Sequence, residues 1–172
     1  MTPPTHYKLL HHYEDLDQDL VLDEITNTVC LRKTLVYFDV HVFEYLKSHT
    51  NPHIPKVYDY YEDDGKLIVY EEYIEGQTLG DYLNGTKIST RQKLNILDKI
   101  CNGLMFLHAA PKPIIHRDLK MSNIMITSGN EVKIIDYDAA KIYKPGMTRD
   151  TELLGTRGSA APEQYGFGQS DK

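Results

Sequence analysis

Cysteine is scarce in this chain of 172 residues, tryptophan is missing, and no glycine precedes Gly65. The two cysteines, Cys30 and Cys101, show no paired spacing, so the sequence favours neither a disulfide framework nor a CxxC metal site. A reducing compartment is the simplest setting for such a chain.

Long apolar runs are also missing, because no stretch reaches the roughly 20 apolar residues that a membrane-spanning helix needs. The first residues, MTPPTHYKLL, contain neither the basic region nor the apolar run of a signal peptide. We therefore expect a cytoplasmic chain in which this segment makes no membrane contact.

Positive charge is in deficit, since 19 Lys and Arg residues face 25 Asp and Glu residues, for a formal net charge of -6. Such a balance argues against nucleic acid as a partner. The contents of 41% hydrophobic and 26% charged residues are typical of a soluble globular protein.

Apolar alternation in the first half of the chain predicts short strands, and one apolar periodicity predicts a helix that ends before the breaker NPHIP. The spacing predicts strands at 7–10, 20–25 and 28–35, a helix over about 38–48, and two further strands on either side of 63–65. This is the pattern of a small antiparallel sheet with one helix.

The second half changes pattern after residues 73–78. Ser89 and Gln92 predict a capping box at the start of a long helix. The stretch IIHRDLKMSNIMI, residues 114–126, then predicts a polar loop that leads into a hairpin. We therefore expect an α+β protein with two domains, residues 1–74 and 75–172.

The predicted hairpin carries the chemistry. If IMIT at 124–127 pairs with VKII at 132–135 across SGNE, then Asn123 lies opposite Asp136. Opposed residues in an antiparallel ladder lie roughly 4.5–5.5 Å apart, which suits an amide oxygen and a carboxylate that share Mg²⁺. Asp118 and Lys120 lie in the loop before the hairpin, where a carboxylate and a cation would serve phosphoryl transfer.

Three motifs together resemble the eukaryotic-type Ser/Thr protein kinases, including their bacterial members. HRDLKMSN at 116–123 is similar to the catalytic loop, DYD at 136–138 stands at the DFG position, and GTRGSAAPE at 155–163 resembles the end of the activation segment. The resemblance covers the chain from about Val29 onward. It implies a protein-kinase-like bilobal fold, in which 1–74 form the small N-lobe and 75–172 the first part of a helical C-lobe.

The resemblance also implies an activity, the transfer of the γ-phosphate of Mg-ATP to Ser or Thr hydroxyls of a protein substrate, with ATP and Mg²⁺ as cofactors. It makes Asp118 the catalytic base, with Lys120 near the transferred phosphate and Asn123 and Asp136 on the metal.

Further roles follow from the same resemblance. The residues implied in nucleotide binding are Arg32 or Lys33 as the strand cation, Glu72 and Ile74 at the hinge, and Met125 under the base. In the activation segment, Arg117 would pair with phosphorylated Thr148 or Thr151, and Thr156 would help position the substrate.

The sequence departs from the family pattern at the phosphate loop. The glycine-rich loop is replaced by EDLDQD, residues 14–19. Glycine lets backbone N–H groups approach phosphates closely, and these acidic residues would repel a triphosphate.

The sequence also departs from the family pattern at the ion pair expected for the strand cation. The position of the helix glutamate that should pair with it falls near Val42, which is uncharged. Glu71, at the gatekeeper position, is a substitute partner for Arg32 or Lys33.

The sequence given ends at Lys172, soon after the APE motif at 161–163, whereas the resemblance implies further helices. We expect a kinase domain truncated after the activation segment, with an exposed C-lobe core that favours self-association or contact with a missing C-terminal region. One alternative is a catalytically weak kinase-like protein-binding module. Another is a small-molecule phosphotransferase of related fold, which ranks last because Lys120 and the APE motif are typical of protein kinases.

Overall fold

The computed structural model describes residues 4–145, which form two compact units. Within the described residues, the first unit contains 4–50 together with Pro55–Tyr73, and the second contains Asn51–Ile54 and 74–145. The predicted threonines Thr148, Thr151 and Thr156 and the GTRGSAAPE motif lie outside the described residues.

The first unit is a five-stranded antiparallel sheet with one helix, as the apolar patterns predict. The strand order is β1-β2-β3-β5-β4. The elements are β1 (Tyr7–Tyr13), β2 (Gln18–Asp23), β3 (Thr28–Leu35), α1 (Val40–Ser48), β4 (Val57–Asp63) and β5 (Lys66–Glu72).

The helix α1 begins where Asp39 accepts a hydrogen bond from the His41 backbone N–H, which caps the helix. Its buried residues are Val42, Phe43 and Leu46, and the helix packs against β4. The apolar periodicity predicts a face of Val40, Phe43 and Leu46; Phe43 and Leu46 are buried as predicted, but Val40 is only half-buried and Val42 is the third buried residue.

One face of this sheet carries a cluster of tyrosines. Tyr70 lies in a core cluster with Val21, Cys30 and Ile68. The Tyr7 ring stacks on the Tyr70 ring with centroids 3.8 Å apart. Arg32 lies directly opposite Tyr70 in the β3–β5 ladder, so Arg32 belongs to this face, whereas its neighbour Lys33 belongs to the other.

The second unit combines helices with short strands. Its elements are β6 (Gly76–Thr78), α2 (Leu79–Gly85), α3 (Thr90–His108), β7 (Ile114–Ile115), a 3₁₀ turn (Met121–Asn123), β8 (Ile124–Thr127), β9 (Val132–Ile134) and β10 (Lys141–Ile142). The predicted capping box is present, with Ser89 and Gln92 each accepting a hydrogen bond from the other's backbone N–H.

The segment Asn51–Ile54 is held to the second unit by backbone contacts that the sequence did not reveal. Ile134 N donates to His53 O at 2.8 Å, and His53 Nδ1 donates to Val132 O at 3.0 Å. Gly103 lets α3 approach this region closely, since a Cβ there would lie 2.9 Å from Ile134 Cδ1. The hairpin strand β9 therefore contacts both the segment Asn51–Ile54 and the helix α3.

Among the helices of residues 4–145, none is long and apolar enough to cross a lipid bilayer.

Candidate active site

The loop between β7 and β8 brings three of the predicted residues into direct contact. Asn123 Nδ2 donates to Asp118 Oδ2 at 2.9 Å and to the Asp118 backbone oxygen at 2.9 Å. Lys120 Nζ lies 2.8 Å from the same Oδ2 atom. The Asp118 carboxylate is therefore oriented by an amide and an ammonium group.

The orientation of the Asn123 amide follows from these contacts. Because Nδ2 donates twice to Asp118, the other amide atom, Oδ1, is the acceptor, and the nearest donor is the Ser122 hydroxyl at 3.5 Å. Asn123 is buried at the end of the 3₁₀ turn. The two hydrogen bonds to Asp118 therefore orient its side-chain oxygen.

His116 ties this loop to the following strand. The Asp118 backbone N–H donates to His116 Nδ1 at 3.3 Å, and His116 Nε2 lies 3.0 Å from the Ile135 carbonyl oxygen. A carbonyl only accepts, so the proton is on Nε2 and the ring is neutral. Burial lowers the pKa of His116, against the opposing charges of Asp136 and Asp118. The contacts of its two ring nitrogens place His116 between the backbone of Asp118 and that of Ile135, the residue before Asp136.

Two residues at this site adopt a left-handed backbone. Arg117 has φ 66° and Asp136 has φ 70°. Such conformations cost non-glycine residues about 1–3 kcal/mol and are concentrated at functional sites. Arg117 is buried, with 7% of its surface exposed.

The predicted hairpin register was wrong by one residue. Ile124 pairs with Ile134 and Ile126 with Val132, and Thr127 N donates to Glu131 O at 3.1 Å. The connecting loop is therefore 128–130, one residue shorter than SGNE. Asn130 allows this shorter loop because it adopts φ 58°, a conformation that asparagine tolerates well.

The observed register affects the two predicted metal ligands, Asn123 and Asp136. Asn123 lies opposite Ile135, whose N–H donates to Asn123 O at 2.9 Å, and not opposite Asp136. Asp136 lies beyond β9 with a left-handed backbone, so strand alternation does not determine where its carboxylate points. Asp136 directly follows Ile135, whose carbonyl oxygen lies 3.0 Å from His116 Nε2, and His116 Nδ1 accepts a hydrogen bond from the Asp118 N–H.

No cluster of three acidic, histidine or cysteine side chains suited to a metal occurs within residues 4–145. A magnesium site does not require one, because Mg²⁺ is usually bound by one or two carboxylates together with waters and substrate phosphates. The oxygens of Asn123 and Asp136 are the hard donors that this ion prefers.

Tyr137, which stands where the family has phenylalanine, is fully packed. Its hydroxyl donates to Ile134 O at 2.9 Å, and its ring centroid lies 5.0 Å from that of His116. The additional hydroxyl group is therefore accommodated in the core without an unmet hydrogen bond.

In the first unit, the two alternatives for the strand cation occupy different environments. Lys33 Nζ lies 2.8 Å from Glu71 Oε1, and both side chains are buried. Arg32 Nη2 donates to Asp19 Oδ2 at 2.7 Å and remains about one third exposed. Arg32 and Lys33 are the two predicted candidates for the partner of Glu71, and the structure shows that Lys33 is the one in contact with it.

The turn that joins β1 to β2 is shorter than the acidic segment 14–19. Strand β1 continues to Tyr13 and β2 begins at Gln18, so Asp19 belongs to a strand. Burial acts to raise the pKa of Asp19, but hydrogen bonds from Arg32 and His12 outweigh it and lower the pKa. The exposed acidic groups of the turn itself are Glu14, Asp15 and Asp17.

The remaining predicted residues are also located. Glu72 ends β5, its N–H donates to Lys56 O at 2.8 Å, and its carboxylate Oε2 accepts a hydrogen bond from the Lys56 N–H at 3.1 Å. Ile74 lies half-buried between β5 and β6, and Met125 lies half-buried on β8.

Comparison with known proteins shows one family model and several relatives of the same kind that are similar to this chain. A family model described as "Protein kinase domain" matches residues 34–171. Serine/threonine-protein kinase D of Synechocystis sp. is 34% identical over 81% of this chain and 28% of that protein. Serine/threonine-protein kinase PrkC of Bacillus subtilis is 31% identical over 73% of this chain and 19% of that protein.

A plant relative is similar to the same degree. The EPD1-interacting receptor-like cytoplasmic serine/threonine-protein kinase 5D of Gossypium barbadense is 37% identical over 69% of this chain and 27% of that protein. The chain spans less than a third of the length of each of these three relatives.

Proposed function

Since the chain belongs to the protein kinase family, whose members use ATP and Mg²⁺, we propose that it transfers the γ-phosphate of Mg-ATP to Ser or Thr hydroxyls of a protein substrate. The observation that carries this proposal is the convergence of Lys120 Nζ and Asn123 Nδ2 on one carboxylate oxygen of Asp118.

Asp118 is the proposed catalytic base. A carboxylate is ionised at neutral pH, and the two donors on Oδ2 hold it in one orientation. A base held in this way accepts the proton of a substrate hydroxyl as the hydroxyl attacks phosphorus. Lys120 brings a positive charge to the same point, where the transferred phosphoryl group carries negative charge.

Asn123 and Asp136 are the proposed Mg²⁺ ligands. The amide oxygen of Asn123 is directed away from Asp118 because Nδ2 donates to that residue, and Asp136 directly follows Ile135, whose carbonyl oxygen contacts His116 in the same loop. When bound, the ion neutralises charge on the phosphates of ATP.

For the nucleotide, we propose Lys33 rather than Arg32 as the phosphate-contacting cation, because Lys33 is held by a buried carboxylate while Arg32 is paired with Asp19 on the other face of β3. Backbone groups of Glu72 and Ile74 are the proposed hydrogen-bonding partners of adenine, and Met125 is the proposed apolar contact of the base.

We also propose that phosphorylation of the activation segment regulates the activity. Arg117 would pair with a phosphate on Thr148 or Thr151, and Thr156 would position the substrate hydroxyl. Arg117 lies beside the proposed base along the chain, so a phosphate bound there would act directly on the catalytic loop.

A second candidate function is a catalytically weak kinase-like module that binds another protein. It is favoured by the β1–β2 turn, where exposed Glu14, Asp15 and Asp17 replace the glycines that would approach the phosphates. For either function we propose a cytoplasmic location, by analogy with the plant relative whose name includes that word.

We also propose that the exposed apolar side chains of α3, namely Leu94, Leu97 and Met105, are covered by another polypeptide, either a C-terminal region or a second copy of the chain.

The test of the kinase proposal is the Asp118→Asn variant, assayed for phosphate transfer to a generic protein substrate. Loss of the base should lower the rate by roughly 10²–10⁴-fold, while Mg-ATP binding, measured by thermal shift, is retained. A matched control is Asp98→Asn on the exposed side of α3, which should leave the rate unchanged.

Two results would contradict the proposal. Phosphate transfer by Asp118→Asn at the parent rate would exclude Asp118 as the base. A parent chain that shows no thermal shift at millimolar Mg-ATP would instead favour the binding module, since a ligand at 100 times its Kd stabilises by about 2.7 kcal/mol.

A further inference from the structure

Lys33 and Glu71 form an ion pair inside the sheet of the first unit. Lys33 Nζ lies 2.8 Å from Glu71 Oε1, and the two residues expose only 6% and 4% of their surface. Lys33 lies opposite Val69 and Glu71 opposite Leu31, so the two side chains are diagonal neighbours on one face of the β3–β5 ladder.

The helix of this unit presents an apolar face to its core. The buried residues of α1 are Val42, Phe43 and Leu46, and its Glu44 is exposed and paired with His41. The carboxylate that lies 2.8 Å from Lys33 therefore comes from a strand of the same sheet.

A buried ion pair is a poor device for stability alone. Transfer of both charges out of water is costly, and well-packed apolar residues of similar volume are often as stabilising or more so. In a sheet core made of residues such as Leu67 and Val69, an apolar pair would fit easily. The pair is better explained by a requirement for an oriented ammonium group.

We propose that Glu71 is the positioning residue for Lys33 and fixes its ammonium group for contact with the phosphates of ATP from within the sheet. This inference rests on the proposed function. Because β3 and β5 are hydrogen-bonded neighbours, the carboxylate that pairs with Lys33 is positioned by the sheet. Glu71 acts through Lys33 and does not itself touch the nucleotide.

The experiment compares the affinities of the full chain for Mg-ATP and for adenosine, which lacks phosphates, by isothermal titration calorimetry. In Glu71→Gln, which keeps the shape and removes the charge, the preference for Mg-ATP over adenosine should fall about tenfold, as expected for loss of one charge-assisted contact. Affinity for adenosine should be unchanged, and Lys33→Met should lose the same preference.

The matched control is Asp59→Asn, which removes the carboxylate of the exposed Lys47–Asp59 ion pair in the same unit. This variant should keep the parent preference for Mg-ATP. The double variant Lys33→Met/Glu71→Gln should show no further loss beyond Lys33→Met, since Glu71 acts only through Lys33.

If Glu71→Gln does not fold, Glu71→Asp is the second variant. It keeps the charge but withdraws the carboxylate by one methylene, so a smaller loss of preference is expected. An unchanged preference in either variant would overturn the inference, as would tighter Mg-ATP binding, which would mean that Glu71 competes with the phosphates.

The parent chain distinguishes this failure from failure of the proposed function. A parent that binds Mg-ATP no better than adenosine contradicts both the proposed function and this inference. A parent with a strong preference that Glu71→Gln retains contradicts only the role of Glu71.

Discussion

At the scale of single residues, the loop of residues 116–123 is organised around hydrogen bonds to Asp118. Its Oδ2 atom receives Asn123 and Lys120, and its backbone N–H is held by His116. Each contact joins residues that are close in sequence, so the loop is oriented mainly by local interactions. The contact from His116 to the Ile135 carbonyl then connects this loop to the rest of the unit.

His116 gives the fold a pH dependence whose sign follows from its environment. Burial lowers the pKa of His116 below its usual 6.5, so the folded state keeps the ring neutral while the unfolded state binds a proton. This contribution to the free energy of unfolding is fully present above pH 6.5 and is lost as pH falls from 6.5 through the lowered pKa.

Urea unfolding between pH 8 and 5 tests this prediction in the parent and in His116→Gln, whose amide can still donate to Ile135 O. The parent should lose stability below about pH 6.5 more steeply than the variant. His41→Gln, which replaces an exposed histidine, should follow the parent. Equal slopes for the parent and His116→Gln would show that His116 titrates normally.

At the scale of secondary-structure elements, short strands position the site by close backbone approach. Gly76 begins β6, which pairs with β8 next to the catalytic loop. A Cβ at Gly76 would overlap the backbone oxygen of Ile126. Since a backbone carbonyl in a paired strand cannot move away as a flexible side chain could, only glycine fits there.

Gly76→Ala should therefore reduce the free energy of unfolding by about 1–3 kcal/mol, in the range of other overpacking substitutions. Gly85→Ala is the matched control, because nothing lies within 4 Å of a Cβ at Gly85. The two midpoints of urea unfolding provide the measurement. A Gly76→Ala variant as stable as Gly85→Ala would mean that β6 and β8 separate without cost.

At the scale of the whole molecule, apolar surface on α3 is the main feature that the described residues leave exposed. Leu94, Leu97 and Met105 are 60%, 55% and 65% exposed. Adjacent exposed apolar side chains on one helix are typical of an interaction surface.

We expect the isolated chain to self-associate through this surface. In the double variant Leu94→Gln/Leu97→Gln, sedimentation velocity should show association at least about tenfold weaker, because burial of one leucine contributes roughly 1.5–3 kcal/mol. Leu9→Gln replaces an exposed leucine on β1 and should behave as the parent. Unchanged association in the double variant would place the contact elsewhere.

Much of the fold and of the catalytic loop could be predicted because the signals are local. The capping box of α3, the apolar face of α1 and the cluster of Asp118, Lys120 and Asn123 depend on residues only a few positions apart. Backbone geometry at such short range leaves few alternatives, so the residue pattern nearly determines the contact.

Other features depended on contacts between distant parts of the chain. The register of β8 and β9 was mispredicted because the left-handed backbone of Asn130 shortens the loop, and a one-residue shift reverses which side chains face each other. The choice between Lys33 and Arg32 stayed open because adjacent strand residues point to opposite faces. Only the neighbouring strand shows that Glu71 lies on the face of Lys33.

The amino-acid sequence by itself therefore determined the family, the strands of the first unit, the helices α1 and α3, and the identity of the proposed base and its two partners. The tertiary structure decided the hairpin register, the protonation of His116 and the partner of Lys33. The reason is physical, since each of these depends on which groups are buried together and on the charge that burial allows.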